Sequence, residues 1–139
     1  SFGHKGGDRL LQAIATRLAS CVRNTDFVAR LGGDEFAVLL PDVVDAEAVA
    51  GVAWKLLERI SVPLMIEEQE CRITASIGIS CFPEDGGDLH TLLKDADIAM
   101  YRAKAEGKNT FRFYSAARQV EVEQWERPEP PTVSCEPSI

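Results

Sequence analysis

At 139 residues the chain fits one domain, and its hydrophobic fraction of 45% is enough to build a core. The formal charge of −7 and a pI near 4.8 exclude broad binding of a nucleic-acid polymer, which needs a basic surface to displace counterions. Residues 115–139 carry −3 of that charge and the remainder only −4, which leaves room for a small nucleotide held by a metal and a few local cations.

Leu11, Ile14, Ala15, Leu18 and Val22 recur at helical spacing and predict a first helix over about residues 8–22, with Asp8 as its cap or first-turn acid. Phe27-Val28-Ala29 and Leu31, then Phe36-Ala37-Val38-Leu39-Leu40 before Pro41, read as two strands of a hairpin joined through glycines. Ala46, Val49, Ala53, Leu56, Leu57 and Ile60 draw a second amphipathic helix. Beyond Pro63 an extended piece over residues 64–66 meets the acidic link Glu67-Glu68-Gln69. Ile73, Ala75, Ile77 and Ile79 then alternate with small or polar residues, which predicts a strand with one buried face.

Asp88 is placed to cap a third helix striped by Leu89, Leu92, Leu93, Ala96, Met100 and Ala103, and Gly107 to end it. Asp95 and Asp97 are expected on or near that helix's surface. Residues 110–114 read as a last strand. After Ser115 a short polar stretch, open to a helical reading, leads into Pro128, Pro130, Pro131 and Pro137, the composition of a tail. Helices alternating with hairpins indicate an α/β or α+β domain layered around one sheet. Cys21, Cys71, Cys81 and Cys135 show no metal-ligand spacing and read as free thiols of a reducing cytosol.

The densest chemistry lies in Leu31-Gly32-Gly33-Asp34-Glu35-Phe36. Two adjacent carboxylates repel each other, so a bare turn has little use for them, whereas a divalent metal takes oxygen ligands. Glycines beside them let a ligand approach the backbone. A solvated hairpin tip is the plain alternative for these six residues taken alone.

Four segments, in order, carry a resemblance. Arg30-Leu31-Gly32-Gly33-Asp34-Glu35-Phe36 resembles the signature of the GGDEF family, the diguanylate cyclases. Phe2-Gly3-His4-Lys5-Gly6-Gly7-Asp8, Thr74-Ala75-Ser76-Ile77-Gly78-Ile79, and Ala96-Asp97-Ile98-Ala99-Met100-Tyr101-Arg102-Ala103-Lys104 with Gly107-Lys108-Asn109 agree with the same family. Together they span about residues 1–114, leaving 115–139 as the Pro-rich tail.

The resemblance implies a nucleotidyl-cyclase-like mixed central sheet flanked by helices. It implies condensation of two GTP molecules into cyclic di-GMP with release of pyrophosphate, Mg²⁺ (or Mn²⁺) dependence, and a homodimer in which each half-site holds one GTP. By position, Asp34 matches the metal-binding carboxylate, and Glu35 a second ligand or the group that deprotonates the attacking hydroxyl. Gly32 and Gly33 would lie against the phosphates, Lys104 and Lys108 would hold them from one helical face, and Asp8 would read guanine. Arg23-Asn24-Thr25-Asp26 has the form of the family's inhibitory effector site for the product, with Arg23 and Asp26 as its binding pair.

Simpler roles compete: a helix cap for Asp8, helix-end cations for the lysines, a surface ion pair for Arg23 and Asp26. The family also has a strand before the first helix, bearing a further metal-binding Asp, and this chain starts after it. The expectation is therefore an N-terminally truncated domain with an interrupted sheet, from a cytoplasmic region whose parent is free to carry a membrane anchor. The rival reading, from another class, is a non-catalytic module that binds GTP or cyclic di-GMP and regulates a neighbour.

Overall fold

The computed structural model describes residues 4–41, 43 and 45–124. Along the chain run α1 (His4–Ser20), β1 (Phe27–Gly32), β2 (Glu35–Leu39), α2 (Ala46–Ile60), β3 (Leu64–Ile66), β4 (Gln69–Cys71), β5 (Ser76–Ile79), α3 (Leu89–Ala105), β6 (Thr110–Phe113) and α4 (Ala116–Glu123). The chain is an α+β domain, as its patterning predicts. Phe2, Gly3 and the Pro-rich residues of the tail lie outside the described residues. No helix among the described residues is long and apolar enough to cross a membrane.

α2 is held by what its sequence supplies at each end and along one face. The Asp45 carboxylate accepts from the Ala48 N–H at 2.8 Å, satisfying an amide that the first turn leaves orphaned. At the other end Arg17, on α1, donates to the carbonyls of Arg59, Ile60, Val62 and Pro63. Those include carbonyls without helical partners, and a cation there also suits the helix dipole. Between the ends, Ala46, Ala50, Ala53 and Leu57 face Phe111, Phe113 and Val122 in one cluster. Leu56 and Ile60 face Leu18 and Cys21 in a second, against which Val28 and Phe36 of the hairpin pack. Full burial of one such Leu or Ile side chain stabilises by roughly 1.5–3 kcal/mol.

The strands form three two-stranded sheets in place of one continuous sheet. β1 and β2 are antiparallel, β3 and β4 antiparallel, and β5 and β6 parallel across the α3 connection. Ala75 and Ile77 touch both hydrophobic clusters, so the hairpin and the β5–β6 pair share one helical layer without sharing a ladder. The hairpin's other face is open: Phe27 and Leu39 pair directly, and with Leu31 they are largely exposed.

On the far side of β5 lies α3, and Gly78 sets how near it comes. A Cβ at Gly78 would stand 1.9 Å from the Ala96 carbonyl oxygen and 2.3 Å from the Met100 nitrogen. Ser80, just past the end of β5, donates to the Leu92 carbonyl at 2.6 Å. Asp88 caps α3 through the Thr91 N–H at 2.8 Å, and Gly107 follows its end with φ of 113°. Asp95 departs from the expected helix surface; it is buried, while Asp97 is exposed.

The polar stretch after Ser115 is an ordered helix, so the chain stays attached to the domain beyond residue 114. α4 is fixed by Val122 in the core, by Gln119 accepting from the Phe113 N–H at 2.9 Å, and by the Arg118–Glu84 ion pair. Cys21, Cys71 and Cys81 carry free thiols, and burial pushes that of Cys81 up.

Two outcomes follow for stability. Gly78→Ala has only backbone to displace, so it should cost about 3 kcal/mol in urea denaturation; a loss under about 0.5 kcal/mol would refute the contact. The β3–β4 turn places Glu67 and Glu68 at φ of 51° and 65°, a left-handed pair that Asn-Gly adopts far more readily. Replacing both by Asn-Gly should stabilise by about 1 kcal/mol, read as a higher denaturation midpoint.

Candidate functional site

The hairpin turn is built by its two glycines. Gly32 pairs with Glu35, leaving Gly33 and Asp34 as the loop, and the register shifts between Arg30 and Gly32. Gly33 has φ of 53°, in the left-handed region that glycine enters without cost. No atom lies within 4 Å of a Cβ built on Gly32 or Gly33, so the backbone presents an open floor. Asp34 stands at the apex and Glu35 opens β2, both exposed. The sequence places both at the tip; the structure puts Asp34 there and makes Glu35 a strand residue.

Sequence reasoning passed over Arg30 except as a letter of the signature. Its Nε donates to the Gly33 carbonyl at 2.9 Å, across the bulge and into the turn itself. Only an Arg two residues before a glycine pair would have hinted at it.

Asp34 and Glu35 supply hard oxygen ligands, but no group of three His, Cys, Asp or Glu among the described residues could hold a metal ion. A protein cage is therefore not formed by them. The pair does fit Mg²⁺, which keeps several waters and is commonly bound by one or two carboxylates together with substrate phosphates.

The other site residues sit on different elements. Asp8 is exposed within α1, which begins at His4, so it is neither cap nor first-turn acid. Lys104 lies in the last turn of α3, and the helix ends at Ala105. Lys108 follows the helix with φ of 64°, its N–H donating to the Ala103 carbonyl at 3.2 Å. The two lysines therefore do not share a helical face. The chain turns left-handed at Gly107, Lys108 and Asn109, and an i, i+4 relation holds only while the helix continues. Both are exposed and form no ion pair among the described residues.

Arg23 and Asp26 are brought together firmly. The Arg23 fork donates from Nε at 3.2 Å and from a terminal nitrogen at 3.0 Å, and the Arg23 backbone N–H donates at 2.8 Å. The Asp26 side chain is 3% exposed and that of Arg23 53%, so the carboxylate is the hidden anchor and the guanidinium the presented group. Arg23's side chain, then its backbone N–H, hold the Asp26 carboxyl below the usual range.

A cleft of about 340 Å³ opens elsewhere, between α2, β6 and α4, lined by Trp54, Phe111, Gln119 and others. It contains none of the candidate residues. Its Arg112 is already engaged by Glu106 at 2.5 Å and Glu123 at 3.2 Å.

This turn between short strands, backed by helices, is a known one. The diguanylate cyclase GGDEF domain matches residues 1–110. The chain belongs to that family. It is 44% identical over 124 residues to the bifunctional diguanylate cyclase/cyclic di-GMP phosphodiesterase MucR of Pseudomonas aeruginosa, covering 89% of this chain and 18% of MucR. The solved EAL/GGDEF domain protein from M. capsulatus is 46% identical, with a TM-score of 0.78 over 83% of this chain and 74% of that one. The GGDEF domain of DgcB from Caulobacter crescentus, solved in complex with c-di-GMP, is 28% identical with a TM-score of 0.73 over 83% of this chain and 66% of that one. The chain spans about a fifth of MucR's length. Its fold is that of GGDEF domains.

A carboxylate held low adds stability that is present above its unfolded value and lost as pH falls through the lowered folded value. Asp26 should accordingly titrate below ordinary Asp side chains in a carboxyl NMR titration. In Arg23→Ala the midpoint should rise toward the unperturbed value near 3.9; identical curves in the two proteins would contradict the pairing.

Proposed function

We propose that the chain is the catalytic part of a diguanylate cyclase, which condenses two GTP molecules into cyclic di-GMP and two pyrophosphates. The observation that carries this reading is the intact Gly32-Gly33-Asp34-Glu35-Phe36 turn, with an open backbone floor beside two exposed carboxylates.

Each nucleotide's 3′-oxygen forms a bond to the other's α-phosphorus, the bond from that phosphorus to pyrophosphate breaks, and the hydroxyl proton leaves. A divalent cation such as Mg²⁺ or Mn²⁺, when bound, would neutralise phosphate charge and stabilise the charge on the attacking and leaving oxygens. Asp34 and Glu35 would hold it, with Glu35 also placed to accept the hydroxyl proton. The amides of Gly32 and Gly33 border the phosphates, while Lys104 and Lys108 add positive charge from the α3 end. Asp8 accepts from the N–H groups of guanine. One domain holds one GTP, so turnover requires two copies face to face in a homodimer.

Arg23 and Asp26 form the product's inhibitory site. Asp26, buried and ionised, fixes the Arg23 fork, whose planar donors suit phosphate and guanine edges. Product binding there shifts the population toward unproductive arrangements of domains.

A regulatory module that binds GTP or cyclic di-GMP without turnover is the second reading. It is favoured by one observation: a relative 37% identical over 89% of this chain is named a cyclic di-GMP phosphodiesterase, NbdA of Pseudomonas aeruginosa.

The test is to incubate the full-length protein with GTP and Mg²⁺ and to measure cyclic di-GMP. Asp34→Ala should lower its formation by roughly 100-fold or more. Nucleotide binding without product would select the regulatory reading. Arg23→Ala should weaken product inhibition by roughly tenfold, as expected for losing a charge-assisted hydrogen bond; unchanged inhibition would remove that site.

A further inference from the structure

We infer that Arg30 is a positioning residue that aims the Asp34 backbone amide at the bound phosphates, an inference that rests on the proposed cyclase reading. The turn is otherwise weakly restrained. Gly32 and Gly33 have the widest conformational freedom of any residues, and the open space around both means that no packing fixes them. The register shift between Arg30 and Gly32 also loosens the ladder where the turn begins.

Into this gap Arg30 inserts one directed contact, its Nε–H to the Gly33 carbonyl at 2.9 Å. The Gly33–Asp34 peptide is planar and trans, so its C=O and N–H point in opposite directions. Anchoring the carbonyl toward Arg30 therefore directs the Asp34 N–H the other way. A backbone N–H fixed beside the phosphates needs no reorganisation when charge develops there, which is the condition for electrostatic stabilisation. The donor is also charged, which strengthens the bond.

Lysine keeps the charge but not the planar fork, so Arg30→Lys should restore only part of the effect. Arg30→Ala removes it, and the melting temperature reports any loss of packing against Phe36, its cross-strand partner.

The experiment uses the full-length protein and two independent readouts. The first is hydrogen exchange of the Gly33, Asp34 and Glu35 amides without nucleotide. The second is affinity for Mg²⁺·GTP by calorimetry, with melting temperature as the control for folding. Arg30→Ala should speed exchange at these amides roughly tenfold and weaken Mg²⁺·GTP binding about tenfold. Arg30→Lys should fall between, and the melting temperature should hold. Unchanged exchange, or faster exchange with unchanged nucleotide affinity, would overturn the positioning role. A parent protein with no affinity for Mg²⁺·GTP would overturn the cyclase reading, while the exchange data would still decide whether Arg30 braces the turn.

Discussion

Two-sided burial of α2 is the constraint on which the structure depends. Its Ala50, Ala53 and Leu57 hold the β5–β6 pair, and its Leu56 and Ile60 hold α1 and the hairpin. No ladder of hydrogen bonds joins those two pairs of strands among the described residues, so their relation runs through apolar packing on α2. Ala75 and Ile77 contribute from the strand side, touching both clusters. The hydrophobic effect is non-directional, and directional contacts at the edges supply what it lacks. Arg17 pins α1 to the end of α2, Gly78 seats α3 on β5, and Asp45 and Asp88 start their helices.

That division of labour explains where the chemistry sits. Apart from Asp8 on α1, the residues proposed to handle ligands are on segments that the core positions but does not fill: the hairpin turn, the loop after α1 and the left-handed end of α3. Each has a local device of its own. Arg30 holds the turn, Asp26 holds Arg23, and Ala103 accepts from the Lys108 N–H. Such devices cost little stability and give exposed groups a defined direction. Rigid scaffold and adaptable loop thus meet within a few residues.

Much of this was legible in the sequence, and for physical reasons. Helical period in Leu11, Ile14 and Leu18, and in Leu56, Leu57 and Ile60, reports burial directly, so α1 and α2 are readable. The Asp88 cap and the Gly107 stop depend on residue chemistry alone and are readable too. The hairpin is marked by its glycines and apolar flanks. Less legible was whatever depends on contacts distant in sequence. The start of α1 at His4 lies in a glycine-containing stretch without an apolar stripe, so periodicity missed its first turn. Lys104 and Lys108 look like helical neighbours until Gly107 reverses the backbone. Burial of Asp95 and the Gly33 contact of Arg30 left no periodic signal. Gly78 could be read as a strand residue, but its role as a seat for α3 requires the helix to be in place.

The proposed cyclase activity requires a divalent metal and a guanine nucleotide to meet at the bend carrying Asp34. Paramagnetic broadening tests it most directly: Mn²⁺ is added to the isotope-labelled parent protein with and without GTP, and backbone amide signals are followed. Nucleotide-dependent broadening centred on Gly32, Gly33, Asp34 and Glu35 is the expected result. Broadening centred elsewhere, or none that depends on GTP, would contradict it.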